Sequence, residues 1–204
     1  MITRARIALW AAALVIAAVS NADDAKPPVK CLMMGMGPHG EVTMTGVLDA
    51  IKNEYKTVEI TASENLEDLK YENLKTYDVL IMVQIKVERG NPPDYVKDGI
   101  LQFLKDGKGL VVTHYAVANV QEWRDSIDIY GAMWVSGKST HGPYREFRVD
   151  VKQEHHPILE GVRPFITNDE LYFNLLMRPD MNVLLTGNEE RFGHTVAEPL
   201  LCTH

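Results

Sequence analysis

The stretch GKGLVVTHYAVAN, from Gly107 to Asn119, decides the fold. A glycine-bounded turn leads into Leu110, Val111 and Val112, an apolar run whose length and β-branching predict a strand buried on both faces. The run stops at Thr113 and His114. Such a strand would emerge from its sheet there, and in open α/β sheets ligands bind at the carboxyl edge of the strands. His114 is therefore the first candidate site residue.

Working upstream, Val29–Met36 (VKCLMMGM), Thr57–Ile60 and Asp78–Ile85 (DVLIMVQI) read as three further strands. Between them, apolar residues at Met44, Val47, Leu48 and Ile51 give Thr43–Tyr55 helical spacing, and Asn65–Tyr77 reads as helix and loop. Pro92 and Pro93 open a helix expected to carry Val96, Ile100, Leu101 and Leu104 on one face and to end at Gly107. Four strand–helix repeats in order predict a parallel, doubly wound sheet. The loops after the first, third and fourth strands then share one edge, which would gather His39, Glu88, Arg89 and His114.

The second half reads differently. Trp123–Met133 has helical character, whereas Glu146–Val151, Glu170–Phe173 and Val183–Thr186 read as short strands, some antiparallel, extending the same sheet. Ser139-Thr140-His141-Gly142-Pro143-Tyr144 is a polar, turn-rich stretch. In Asn168–Phe173, with Leu171 and Phe173 facing the core, a period of two puts Asn168, Glu170 and Tyr172 on the opposite face.

The 204 residues are 46 % hydrophobic and 24 % charged, ordinary globular composition for one sizeable domain. Arg4 and Arg6 precede an apolar run from Ile7 to Val19, and Ser20-Asn21-Ala22 offers the small residues an export peptidase reads. Residues 1–22 are thus expected to be a signal peptide, too short in its apolar part to cross a bilayer that needs roughly 20 residues. Residues 23–28, with two prolines, would form a tether, and 29–204 the domain. Cleavage removes two arginines and no acids, so the formal charge moves from -7 to -9. Such an exported chain has no electrostatic footprint for nucleic acid or anionic lipid and keeps no membrane anchor. Two cysteines, Cys31 and Cys202, make no disulfide framework and read as buried, inert thiols.

Standard chemical motifs are absent or flawed. Gly35-Met36-Gly37-Pro38-His39-Gly40 fits the dinucleotide fingerprint, but Pro38 lacks an N–H where pyrophosphate needs donors and Glu41 places a negative charge at the helix start. No organic cofactor is expected. There is no G-x-S-x-G elbow, Walker loop or H-E-x-x-H. A transition metal held by His39, His114, His141 and Glu170 stays open, since imidazole and carboxylate are ligands for first-row ions.

The stretches GKGLVVTHY (107–115), GAMWVSGKSTHGPY (131–144), HPILEG (156–161) and TNDELYF (167–173), followed by Glu198-Pro199-Leu200, resemble the ThuA-like, or trehalose utilisation, family over nearly all of residues 29–204. The resemblance implies a class I glutamine amidotransferase-like fold, a flavodoxin-like three-layer sandwich with a mainly parallel sheet and added strands in the second half. It also implies a link to sugar metabolism. Amidotransferases carry a nucleophilic cysteine directly after a strand like Leu110–Thr113, where this chain has His114 and Tyr115, so glutaminase chemistry is not expected. Carrying the motifs over points to His114, His141, Glu170 and Tyr172. Family members continue past the E-P-L segment with a glycine-rich turn, a strand and a Gly-His pair, whereas this sequence stops at His204, so either it is shortened or the final strand is missing by nature. The expectation is an exported protein binding a small sugar or sugar derivative, since an aromatic content of 8 % leaves few platforms for a long polysaccharide. If it is an enzyme, His114 and Glu170 would be the acid–base pair, with His39, His141, Tyr144 and Tyr172 binding substrate. A non-catalytic carbohydrate-binding module and a metal-dependent hydrolase are the alternatives, and the oligomeric state is open.

Overall fold

The structure is a computed structural model that describes residues 27–35, 48–49, 51, 53–191 and 194–204. These fall into two compact units, one up to Trp123 and one from Arg124 onward. Of the helix expected over 43–55, positions 48, 49, 51, 53 and 54 are described and helical. The signal segment, most of the tether and the glycine loop with His39 lie outside the described residues.

The first unit contains four parallel strands: β1 (Val29–Met34), β2 (Val58–Ser63), β3 (Val79–Met82) and β4 (Gly109–Val112). Their order is β2-β1-β3-β4, that of a flavodoxin-like sheet. Central position decides burial. Cys31, Leu32, Met33 and Met34 of β1 are all buried, because β1 is paired on both sides and covered on both faces. β4, expected to be buried in the same way, is the sheet's edge strand, and Leu110, Val111 and Val112 are only half-buried. Alternation sends Cys31 and Met33 into a cluster with Leu48, Ile51, Val58, Ile60 and Val83.

In the stretch read as helix and loop after β2, a 3-10 turn (Leu66–Leu69) is followed by the one-turn α1 (Tyr71–Leu74). The next helix, α2 (Asp94–Lys105), starts behind Pro93 and buries Val96, Gly99, Ile100 and Phe103. Those positions follow the three- and four-residue steps of one helix face. Leu101, expected on that face, lies off the stripe and is 39 % exposed, and Leu104 is half-buried. β4 leads through His114 into the single turn α3 (Ala116–Asn119). No helix among the described residues is long and apolar enough to cross a membrane.

The second unit begins with α4 (Ser126–Tyr130), shorter than the sequence suggested because Gly131 leaves the helix with φ 76°, a left-handed cap that suits glycine. The later strands do not extend the parallel sheet, contrary to expectation. β7 (Arg145–Val151), β8 (Phe165–Asp169), β11 (Asn182–Arg191) and β12 (His194–Thr203) form an antiparallel sheet of their own in the order β12-β11-β7-β8. Two small antiparallel pairs accompany it: β5 (Ala132–Met133) with β10 (Leu176–Met177), and β6 (Thr140–His141) with β9 (Tyr172–Phe173). The strand expected over 170–173 is therefore split. Chain belonging to β8 ends at Asp169, Glu170 and Leu171 cross over, and β9 joins a different partner.

Candidate functional site

β6 and β9 are two residues each, and their register sets the centre of the site. Thr140 pairs with Phe173 and His141 with Tyr172, so the imidazole and phenol stand directly across a two-stranded ladder. Their ring centroids are 6.2 Å apart. Trp134, one residue beyond β5, meets Tyr172 edge-on at 5.1 Å and His141 at 6.3 Å. Leu171 and Phe173 are buried, as expected, which leaves Glu170 and Tyr172 half-buried on the side of the rings. The Oε2 of Glu170 lies 3.7 Å from Nδ1 of His141.

Local hydrogen bonds hold these groups. Gly142 N–H donates to Leu171 O at 2.9 Å. The buried Ser139 hydroxyl accepts from Val135 N–H and donates to Asn174 O, both at 2.9 Å, tying the turn before β6 to the residue after β9. Asn174 takes φ 57°, a left-handed conformation asparagine tolerates better than most residues. Nδ1 of His141 sits 2.8 Å from Gly142 O. A carbonyl oxygen only accepts, so Nδ1 carries a proton, and in the neutral ring the lone pair is then on Nε2. With 48 % of the His141 side chain and 27 % of Glu170 exposed, this imidazole–carboxylate pair can meet a ligand and move a proton.

His114 belongs to the first unit. It occupies the turn between β4 and α3 with φ 38°, exposed, at the strained strand-to-helix corner that the sequence marked out. Neighbouring loops at this sheet edge are tied together: Asn119 Oδ1 accepts from Ile85 N–H at 2.7 Å, and Glu122 N–H donates to Gly90 O at 3.2 Å. The expected convergence of the loops after β3 and β4 is thus realised. Tyr144 is 68 % exposed and stands outside the ring cluster. Among the described residues, no three His, Cys, Asp or Glu side chains form a group that could hold a metal ion; His39, one of the four ligands considered, lies outside them.

Sequence reasoning missed Trp134, whose signal was an aromatic residue just past a short apolar run inside the 131–144 segment. It also missed Ser139 as a brace, and Arg145 with Glu189, which form an ion pair beside Gly142. Of the two thiols expected to be buried, Cys31 is buried and Cys202 half-buried; burial, helped by nearby Asp78, pushes Cys31 up to about 11, and burial pushes Cys202 up to about 11.

The family model for ThuA, described as trehalose utilisation, matches residues 32–204. This chain belongs to the ThuA family. Membership gives it a role in carbohydrate metabolism. Among solved structures, a ThuA-like protein from Parabacteroides merdae aligns with a TM-score of 0.68 at 18 % identity, covering 87 % of this chain and 75 % of that one. Another from Bacteroides uniformis aligns with a TM-score of 0.62 at 22 % identity, over 82 % and 71 %. A glutamine amidotransferase from Thermotoga maritima aligns at 0.50 with 11 % identity, over 79 % and 68 %. At these identities the likeness is one of fold, and the fold of this ThuA-family chain is the glutamine amidotransferase-like one. No curated protein matches significantly.

Proposed function

We propose that this ThuA-family protein binds a small sugar or sugar derivative at the Trp134–His141–Tyr172–Glu170 cluster and transforms it by acid–base chemistry without a cysteine nucleophile. The observation that carries the reading is the cluster itself: two aromatic rings, at 5.1 Å, flank an imidazole whose protonated Nδ1 lies 3.7 Å from a carboxylate. Aromatic rings present apolar faces for the C–H side of a sugar ring, and carboxylate and imidazole are the groups that hydrogen-bond hydroxyls and move their protons. Nε2 of His141 would take a proton from a hydroxyl or from carbon beside a carbonyl, with Glu170 holding the charge that develops on the ring. His114, at its strained corner in the first unit, is a second candidate acid or base. The protein is read as exported, on the strength of the Arg4–Ala22 segment, with its substrate met outside the cytoplasm.

The test is NMR of the protein with a panel of disaccharides and their oxidised derivatives, followed over time. Binding with slow conversion is expected for at least one. Trp134→Ala should weaken binding about tenfold, the loss of roughly 1.4 kcal/mol of stacking. His141→Ala and Glu170→Gln should abolish conversion while leaving the bound fraction within a few-fold. Binding without conversion in the wild type would make the protein an accessory module, and no binding across the panel would overturn the reading.

A further inference from the structure

β11 supports both halves of the site from below. Gly187 and Glu189, two residues apart, share one face of the strand. A Cβ at Gly187 would lie 2.5 Å from Leu171 Cδ1 and 3.0 Å from Phe147, so the bare backbone there is what lets Leu171 seat and fixes the neighbouring Glu170. Two residues on, Glu189 is 7 % exposed, and its carboxylate lies flat against Gly142: a Cβ there would stand 3.1 and 3.5 Å from its two oxygens. Its partner is the guanidinium of Arg145, which also donates to Glu190 O at 3.3 Å. Burying a carboxylate is costly unless it is paired and hydrogen-bonded, so loss of Arg145 would strand the buried Glu189, whereas Arg145, its side chain 45 % exposed, can turn to water.

The segment His141–Arg145 is therefore pinned twice, by Gly142 N–H on Leu171 O and by Arg145 on Glu189. Between the pins lies Gly142 O, the acceptor for His141 Nδ1. We propose that the ion pair of buried Glu189 with half-exposed Arg145 is the positioning device of the site, holding the Gly142 carbonyl where it keeps the proton of His141 on Nδ1 and Nε2 free as the base. The inference rests on His141 as the working imidazole, and the pair acts through it without touching ligand.

The test reads the ring directly, in the ligand-free, folded protein, by nitrogen–proton correlation NMR of the histidines at a pH where they are neutral. His156 is an internal control of opposite sense: its Nδ1 accepts from Ile158 N–H at 3.3 Å, so its proton belongs on Nε2. Wild-type His141 should show the Nδ1–H tautomer. In Glu189→Gln the preference should fall by about tenfold, what the net free energy of one hydrogen bond sustains, with His156 unchanged. Should Glu189→Gln not fold, Arg145→Gln, at the half-exposed end of the pair, carries the same expectation. Arg145→Lys, which keeps a cation for Glu189, should retain most of the preference. An unchanged His141 tautomer in a folded Glu189→Gln or Arg145→Gln protein overturns the proposal, as does equal loss in Arg145→Lys and Arg145→Gln. A wild-type protein with this tautomer that binds no saccharide would refute the functional reading and leave the positioning role standing.

Discussion

Among the described residues, His114 and Asn174 are the non-glycine positions with positive φ, and His114 is the one whose side chain suits that conformation less. At φ 38° a side chain crowds the following carbonyl, a cost of about 1–2 kcal/mol that glycine does not incur. Glycine loses more freedom on folding than alanine, by about 0.5–1 kcal/mol. The strain outweighs that loss of freedom. His114→Gly and His114→Ala both delete the imidazole and every contact it makes, so their difference isolates the backbone. The glycine variant should be more stable than the alanine variant by up to about 1 kcal/mol in chemical denaturation. A histidine where glycine would be cheaper fits a position selected for its side chain, and equal stability of the two variants would remove that argument.

At the level of elements, α2 poses a contest between propensity and packing. Gly99 sits in the middle of the helix, where alanine would gain about 1 kcal/mol. An added Cβ, however, would drive into the backbone carbonyl of Leu69, with Tyr71 N 3.1 Å away. Backbone of a packed 3-10 turn cannot rotate aside, so overpacking at about 1–3 kcal/mol outweighs the gain. Gly99→Ala should lower the denaturation midpoint without changing the slope; a more stable variant would show that the turn at Leu66–Leu69 yields. The sequence signalled this helix through Pro93 and its periodicity, but the β-rich half was less legible. The hairpin β11–β12 runs ten residues on each side, while only Val183–Thr186 stood out, because Gly187-Asn188-Glu189-Glu190 is polar and Pro199 discourages a strand assignment. Pro199 is tolerated because β12 is an edge strand.

For the molecule as a whole, what was readable followed the range of the interactions. The parallel pairing of β1 to β4 follows from repeated strand–helix units, whereas the switch of partner at Glu170–Leu171 depends on which distant segment offers a ladder, and no local pattern records that. The same limit applies to the site: His141, Glu170 and Tyr172 stood in recognisable motifs, but Arg145 and Glu189 are 44 positions apart and meet only in three dimensions. One thiol in each unit gives a way to follow both. Cys31 lies in β1 and Cys202 in β12, each pushed up to about 11 by burial. At pH 8 only about 0.1 % of such a thiol is thiolate, the reactive form, against several per cent or more once the chain unfolds. Pulse alkylation read by mass spectrometry should therefore modify both cysteines about a hundredfold more slowly in the native protein than in denaturant. With denaturant rising, the cysteine labelled first identifies the unit that opens first, whereas rapid labelling of either in the native state would mean that its strand is not packed as described.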